Sequence, residues 1–318
     1  MWSPLLARVP QDSSTLPSIG VCIPAYNLEG LVSRAIDSVL AQRDLPESIV
    51  VVDDGSTDAT AEAIQPYASK LCLIRQDNRG AAGAKNTAGK ASSTDWIAFL
   101  DGDDEYMPDR IESIRRFAAA WPDVDIITTD ALVTHGSKVD EATYYESSGF
   151  KIDVANPRLS ILRNNFIFGH AAVRRDRWLA IGGFDETMAN AEDRDCWTRM
   201  IFEGCEVGII LKPLSVYHRQ DDSLSRNRAA ASQGRARAMA KVLVRPDLSN
   251  EERAEARRQY RHHVAMARMI QSRETVQSGA RGARAACVRV LASPGVPLRS
   301  RGLAALGIVS PAVLRRLH

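Results

Sequence analysis

Three segments carry side chains suited to chemistry. In Trp96-Ile-Ala-Phe-Leu-Asp101-Gly102-Asp103-Asp104 an apolar run ends in carboxylates. Side chains two apart in an extended chain share a face, so the spacing predicts that Asp101 and Asp103 converge. Converging carboxylates repel unless a proton or cation stands between them, and such hard oxygen ligands suit Mg²⁺ or Mn²⁺ beside phosphate oxygens. The plainer alternative is a polar turn closing a strand, with Asp104 near the start of the next helix. Asp53-Asp54-Gly55-Ser56-Thr57-Asp58 reads by itself as an Asp-Gly turn with a helix N-cap at Thr57 or Asp58. Asn78-Arg79-Gly80-Ala-Ala-Gly83-Ala-Lys85-Asn86 is a small-residue loop entering a helix; it either admits a phosphate or sugar closely or packs helix on sheet.

The elements that must position these residues alternate. Ile19–Pro24, Ile49–Val52, Leu71–Arg75, Trp96–Leu100 and Val124–Thr128 read as strands. Helices are expected over about 30–42, 58–69 and 81–91. A further one carries Ile111, Ile114, Phe117 and Ala118 on one face, with Pro108 in its first turn. Strands alternating with helices predict an α/β fold, a mostly parallel sheet flanked by helices. Ligands of such sheets bind beyond the carboxyl ends of the strands, where Ala25-Tyr26-Asn27 and both acidic clusters fall. Two acidic clusters on one rim would cost stability unless a ligand uses them.

The chain has 318 residues, 45% hydrophobic and 25% charged, which excludes a disordered or collagen-like chain. Its net charge of +2 hides a division: residues 219–318 hold 20 Lys+Arg and 7 Asp+Glu, residues 1–218 hold 21 and 32. Five scattered cysteines without a C-x-x-C pair argue against a zinc site or disulfide framework and fit a reducing, cytoplasmic compartment. The start lacks the pattern of a signal peptide, and no run approaches a membrane span; Gly302–Leu314 is short and carries Pro311. The expected organisation is a loose leader over 1–18, an α/β domain over 19–225 and a basic helical extension over 226–318.

Taken in order, Ser18-Ile-Gly-Val-Cys-Ile-Pro24-Ala-Tyr-Asn27, Val51-Val-Asp53-Asp54-Gly-Ser-Thr-Asp58, Gly80…Lys85-Asn86 and Phe99-Leu-Asp101-Gly-Asp103-Asp104 closely resemble the GT-A-fold glycosyltransferases of family 2. Gly182-Gly-Phe-Asp185-Glu186 and Glu192-Asp193-Arg-Asp195-Cys-Trp197 extend the resemblance, which covers about 18–225. It implies an inverting transfer of sugar from a nucleotide-diphosphate donor, a UDP-sugar first, to a hydroxyl-bearing glycan or lipid-linked acceptor, as in polysaccharide synthesis. Pro24, Ala25, Tyr26 and Asn27 would line the nucleotide pocket with Gly80, Lys85, Asn86 and Gly102. Asp54 or Asp53 would contact the base, and Asp101 the ribose or the metal. Asp103 would hold Mn²⁺ or Mg²⁺ against the diphosphate. Asp193 matches the catalytic base, and Gly183, Phe184, Glu192 and Trp197 would border the acceptor. The closing segment departs from the pattern: aligned on Ser223-Leu-Ser225, the usual histidine falls at Gln220, so that either His218, two residues earlier, or Gln220 would complete the metal and diphosphate site. His170 could sit near the acceptor.

Two other readings share these residues. A haloacid-dehalogenase-like phosphohydrolase also ends a strand in Asp-x-Asp, but it would leave Asp53-Asp54 without a role. A non-catalytic nucleotide-sugar-binding scaffold would have no need of Asp101, Asp103 and Asp193 together. The Arg-rich tail lacks interleaved aromatics, so nucleic acid is not expected. It is either a plain helical appendage or, above all over 288–318, a contact with an anionic membrane surface. His262-His263 reads as solvated, and Met239, Met266 and Met269 as packing residues.

Overall fold

β1 (Ile19–Ala25) is IGVCIPA, and all seven residues are buried, as a strand covered on both faces requires. The computed structural model describes residues 16–136, 138–150, 152–153, 155–219, 227–278, 283–292 and 304–305. The chain divides into two compact units, Met1–Gln220 and Asp221–His318. Most of the leader, the Gln220–Ser225 segment and most of 288–318 lie outside the described residues.

In the first unit β1 pairs in parallel with β2 (Ser48–Asp53) and β4 (Trp96–Phe99), and β2 with β3 (Cys72–Arg75). β6 (Val124–His135) and β9 (Glu206–Arg219) are also parallel to one another. Between the two groups β8 (Ala172–Arg174) inserts antiparallel to both β4 and β6. β5 (Glu105–Tyr106) joins β9 antiparallel, giving the order β3-β2-β1-β4-β8-β6-β9-β5, with β7 (Lys138–Val139) on β6.

Alternation along the strands splits the core between two faces. Ile19, Val21, Ile23, Ala98 and Leu100 cluster with Val32, Ala35, Ile36 and Val39 of α1 (Val32–Leu40), Ile64 of α2 (Thr60–Ile64), and Ile111 and Ile114 of α4 (Arg110–Ala120). Phe99, one residue from Ala98, instead meets Trp178, Phe184 and Trp197. Trp178 lies on α7 (Arg175–Ala180) and Trp197 on α8 (Glu192–Phe202). α3 (Gly80–Ala91) lies on this second face; a Cβ at Gly89 would come within 2.8 Å of Trp178.

Several elements differ from expectation for physical reasons. α2 ends at Ile64 and continues as a short 3₁₀ turn, Gln65–Tyr67, because Pro66 cannot donate within an α-helix. Pro108 precedes the Asp109 N-cap of α4 rather than lying in its first turn. β6 runs seven residues past Thr128, its register shifting around Asp130, whose Oδ1 accepts the Ala131 and Tyr145 amides.

The second unit holds α9 (Arg228–Leu243), α10 (Asn250–Gln277) and α11 (Ala283–Leu291). Ser249 and Glu252 form a capping box at the start of α10, satisfying amides at that helix end reciprocally. Met239 is fully buried, as a packing residue should be, but His263 is only 9% exposed and is not solvated. Among the described residues no helix is long and apolar enough to cross a membrane.

Candidate active site

The segment after β4 is a turn and not the extended chain that the spacing suggests. The Asp104 amide donates to the Asp101 carbonyl at 3.0 Å. Gly102 makes the turn possible against β1: a Cβ there would lie 2.7 Å from the Pro24 carbonyl oxygen and 3.7 Å from Ala25 Cα. The turn therefore brings together Asp101 and Asp104, three apart, with Asp103 beside them. His170, arriving through the loop before β8, places Nε2 2.8 Å from Asp104 Oδ2 and 3.9 Å from Asp101 Oδ2. Neither ring nitrogen of His170 has an aligned hydrogen-bond partner, although the ring is buried. Burial holds its pKa down to about 3, so the ring is neutral.

Among the described residues Asp101, Asp104 and His170 form a group whose ligand atoms lie within 4.8 Å of one another. Asp103 lies outside that group but feels it. Burial and the charges of Asp104 and Asp101 raise its carboxyl to about 7. Burial, then Asp101, pushes Asp104 well above the carboxylate range. His218 stands behind the cluster. Its backbone amide donates to Asp104 Oδ1 (2.8 Å), while its ring nitrogens engage Thr134 Oγ1 and Glu105 Oε1, each at 2.7 Å. With both nitrogens spent, His218 positions Asp104 and is no third ligand in this arrangement. The short pairing of β5 with β9, invisible in the sequence, sets this contact.

Lys85, in the second turn of α3, is buried. Its Nζ lies 3.0 Å from Asp101 Oδ1 and 3.3 Å from Glu192 Oε1, and those charges raise its pKa against the pull of burial. Glu192 and Asp193 open α8, where acidic groups meet the positive end of the helix dipole. Asp193 Oδ2 accepts from Asn165 Nδ2 at 3.0 Å, and burial with Glu192 alongside raises its pKa. One buried cation thus ties the acidic turn to the helix carrying Asp193.

Of the residues expected at the nucleotide, Asp53, Asp54 and Asn27 lie at the ends of β1 and β2, on the other side of β4. Asp54 accepts from Gln76 Nε2 (2.6 Å) and the Arg79 amide (2.9 Å) through Oδ1. Asp53 is held by the Ser56 amide and Arg75. Asn27, at φ 52°, accepts the Thr57 amide, and Tyr26 beside it is 46% exposed. Gly80, at φ 76°, begins α3.

The acceptor assignments fare differently. Trp197 (0% exposed) and Phe184 (3%) are packed with Phe99 in the second core face. Gly183 is buried where a Cβ would meet Asn86 Oδ1 at 2.5 Å. Those three are structural; Glu192 alone of the four lies in the site. Asn86 likewise bonds both ways with the Phe184 backbone, at 2.9 and 2.8 Å, so it braces that segment. The sequence left Asn165 and the pairing of Asp104 with His170 unread, because neither lies in a local pattern.

The parallel half-sheet, the antiparallel β8 and a polar rim at the strand ends define the GT-A class of α/β fold. Solved structures share it. S. aureus TarS residues 1–349, solved in complex with UDP-GlcNAc, matches at TM-score 0.63 and 18% identity over 94% of this chain and 89% of that one. The mannosyltransferase PcManGT of Pyrobaculum calidifontis, solved with GDP-Man and Mn²⁺, matches at TM-score 0.60 and 18% identity over 98% and 90%. Residues 20–177 match the model of Glycosyl transferase family 2, and the chain belongs to that family. The succinoglycan biosynthesis protein ExoO of Rhizobium meliloti is 28% identical over 226 residues, 68% of this chain and 65% of that protein. The chain spans 59% to 65% of the length of three such curated relatives.

Proposed function

We propose that the protein is an inverting glycosyltransferase that moves a sugar from a nucleotide-diphosphate donor to an acceptor hydroxyl, in polysaccharide or glycoconjugate synthesis. The observation that supports this reading is Lys85, which joins the acidic turn at Asp101 to Glu192 at the start of α8, the helix that also carries Asp193. A hydroxyl is a poor nucleophile at neutral pH. A carboxylate whose proton affinity is raised by burial, and which Asn165 holds in place, is suited to take its proton. Attack from Asp193's side, opposite the departing diphosphate, inverts the anomeric centre. Asp54, Tyr26 and Asp101 would hold the nucleoside, a UDP-sugar being the first choice since a structural neighbour was solved with UDP-GlcNAc.

A divalent cation fits the residues present. The His170 nitrogens are buried, neutral and without aligned partners, and the carboxylates beside them are crowded enough to raise Asp103 to about 7. Oxygen and imidazole donors of this type suit Mn²⁺ or Mg²⁺. Asp101 and Asp103 would hold the ion on the diphosphate side, with Asp104 and His170 behind. When bound, it would supply positive charge against the leaving diphosphate. Contact of the basic second unit with an anionic membrane surface, at the cytoplasmic face, belongs to the same proposal.

Thermal-shift measurements with UDP-, GDP- and dTDP-sugars test the donor. One of them should raise Tm in Mn²⁺, and EDTA should remove the gain. No shift with any nucleotide sugar, together with hydrolysis of p-nitrophenyl phosphate, would overturn the reading in favour of a phosphohydrolase.

A further inference from the structure

Behind the acidic turn lies a cation that the proposed chemistry does not use. Arg110, the first residue of α4, is 0% exposed, and its partners among the described residues are all neutral. Nη1 donates to Thr129 Oγ1 on β6 at 2.6 Å, and Nη2 donates to the backbone carbonyl of His170. The guanidinium carbon stands 4.4 Å from the centre of the Tyr106 ring. A buried charge without an opposite partner is costly, and apolar side chains of similar volume commonly serve stability as well or better. Stability alone therefore gives no account of Arg110.

What Arg110 holds is the loop that delivers His170. That loop runs from α6 (Pro157–Arg163) to β8 and is gripped at every second residue. The Phe166 carbonyl accepts the hydroxyl of Tyr145, from α5 (Tyr144–Ser148), at 2.7 Å. The Phe168 amide donates to Thr128 Oγ1 at 3.0 Å, and the His170 carbonyl takes the guanidinium. The imidazole itself has no such grip, since neither ring nitrogen has an aligned partner. Two aromatic rings meet it edge-on instead, Phe168 at 4.5 Å and Tyr106 at 6.3 Å between centroids. Tyr106 is fixed in turn, its hydroxyl donating to the Phe99 carbonyl at 2.6 Å, two residues before Asp101. By stacking on Tyr106 and tying down the His170 carbonyl, Arg110 sets both a wall of the imidazole and the backbone that carries it.

We propose that Arg110 is a positioning residue: it fixes this loop so that His170 Nε2 faces Asp104 and Asp101 as the nitrogen donor to a divalent cation. Nε2 stands 2.8 Å from Asp104 Oδ2 and 3.9 Å from Asp101 Oδ2. A planar guanidinium suits the task because its donors leave in fixed directions, here one to β6 and one to the loop. Outer groups that orient a metal ligand typically govern about 10–100-fold of the affinity. The inference rests on the metal-dependent transfer proposed above.

Electron spin-echo spectroscopy of bound Mn²⁺ tests it, because a coordinated imidazole nitrogen modulates the echo. The tag-free full chain, loaded with UDP and stoichiometric Mn²⁺, should show that modulation, and His170→Ala should lose it. Arg110→Met keeps the length and removes the donors. It should lose most of the modulation and bind Mn²⁺ about tenfold or more weakly. Arg110→Lys, which can still donate to the His170 carbonyl, should retain the modulation. Should Arg110→Met not fold, as read by circular dichroism, Thr129→Val takes its place; it removes only the hydroxyl that holds Nη1 and should weaken the modulation. Bound Mn²⁺ without nitrogen modulation in the wild type, or modulation that survives in His170→Ala, would overturn the proposal. So would undiminished modulation in Arg110→Met, whatever its Tm, or equal loss in Arg110→Met and Arg110→Lys. Failure of the wild type to bind Mn²⁺ and UDP would instead remove the transfer reading beneath it.

Discussion

Asp193 and Asp103 carry opposite consequences of the same crowding. Asp193→Asn keeps the shape and removes the proposed proton acceptor. Transfer should fall by ~10²–10⁴-fold with donor affinity nearly unchanged, measured as UDP release beside calorimetry; collapse of donor affinity would place Asp193 in the donor site instead. For Asp103, the folded pKa of about 7 stands above its ordinary value of 3.8. Its contribution to stability is therefore fully present below pH 4 and lost as pH rises through 7. In EDTA at pH 8, Asp103→Asn should gain on the order of 1–3 kcal/mol over the wild type, and the gain should vanish near pH 4. The same variant should lose divalent-dependent turnover. A Tm at pH 8 no higher than wild type would show that Asp103 is not strained. The carboxylates themselves were legible in the sequence as Asp-x-Asp. Their partner was not, since His170 reaches Asp104 from another loop and no local period encodes that contact. Trp197 misleads for the converse reason: one helical turn beyond Asp193, it lies deep enough on α8 to enter the core.

At the scale of elements, the turn after β4 depends on its close approach to β1. Gly102→Ala places a methyl 2.7 Å from a backbone carbonyl oxygen, which cannot rotate away as a side chain can. Overpacking of this kind costs about 1–3 kcal/mol. The alanine variant should show a lower Tm and weaker nucleotide binding together; a wild-type Tm would mean that the turn has slack. Lys85→Met acts between elements, leaving Asp101 and Glu192 facing one another without their cation. Breaking a fully buried pair costs about 3–5 kcal/mol, but Asp101 keeps 37% of its side chain exposed, so a smaller loss is expected. Urea melts measure it. β1 to β4 were readable because each is a short apolar run with a polar stop, as in Ser48–Asp53, whereas the 14-residue β9, which mixes buried and exposed positions, was not. β5 and the distal half of β6 were not, because two residues carry no period and Thr-Thr-Asp-Ala interrupts the apolar signal.

At the scale of the whole molecule, charge is divided between the two units. Residues 221–318 hold 19 Lys+Arg against 7 Asp+Glu, while the preceding part is acidic. α10 presents Arg257 and Arg261, four residues apart and so on one face, and both are exposed. Each basic side chain near an anionic bilayer contributes about 1 kcal/mol, decaying within a Debye length. Replacing both arginines by glutamate should therefore weaken sedimentation with phosphatidylserine-containing vesicles by about tenfold or more. The wild-type binding should fall steeply between 50 and 300 mM salt, roughly the range over which the Debye length shrinks below 10 Å. Neutral phosphatidylcholine vesicles should leave the protein in the supernatant. Equal sedimentation of wild type and the double variant would show that Arg257 and Arg261 hold no bilayer.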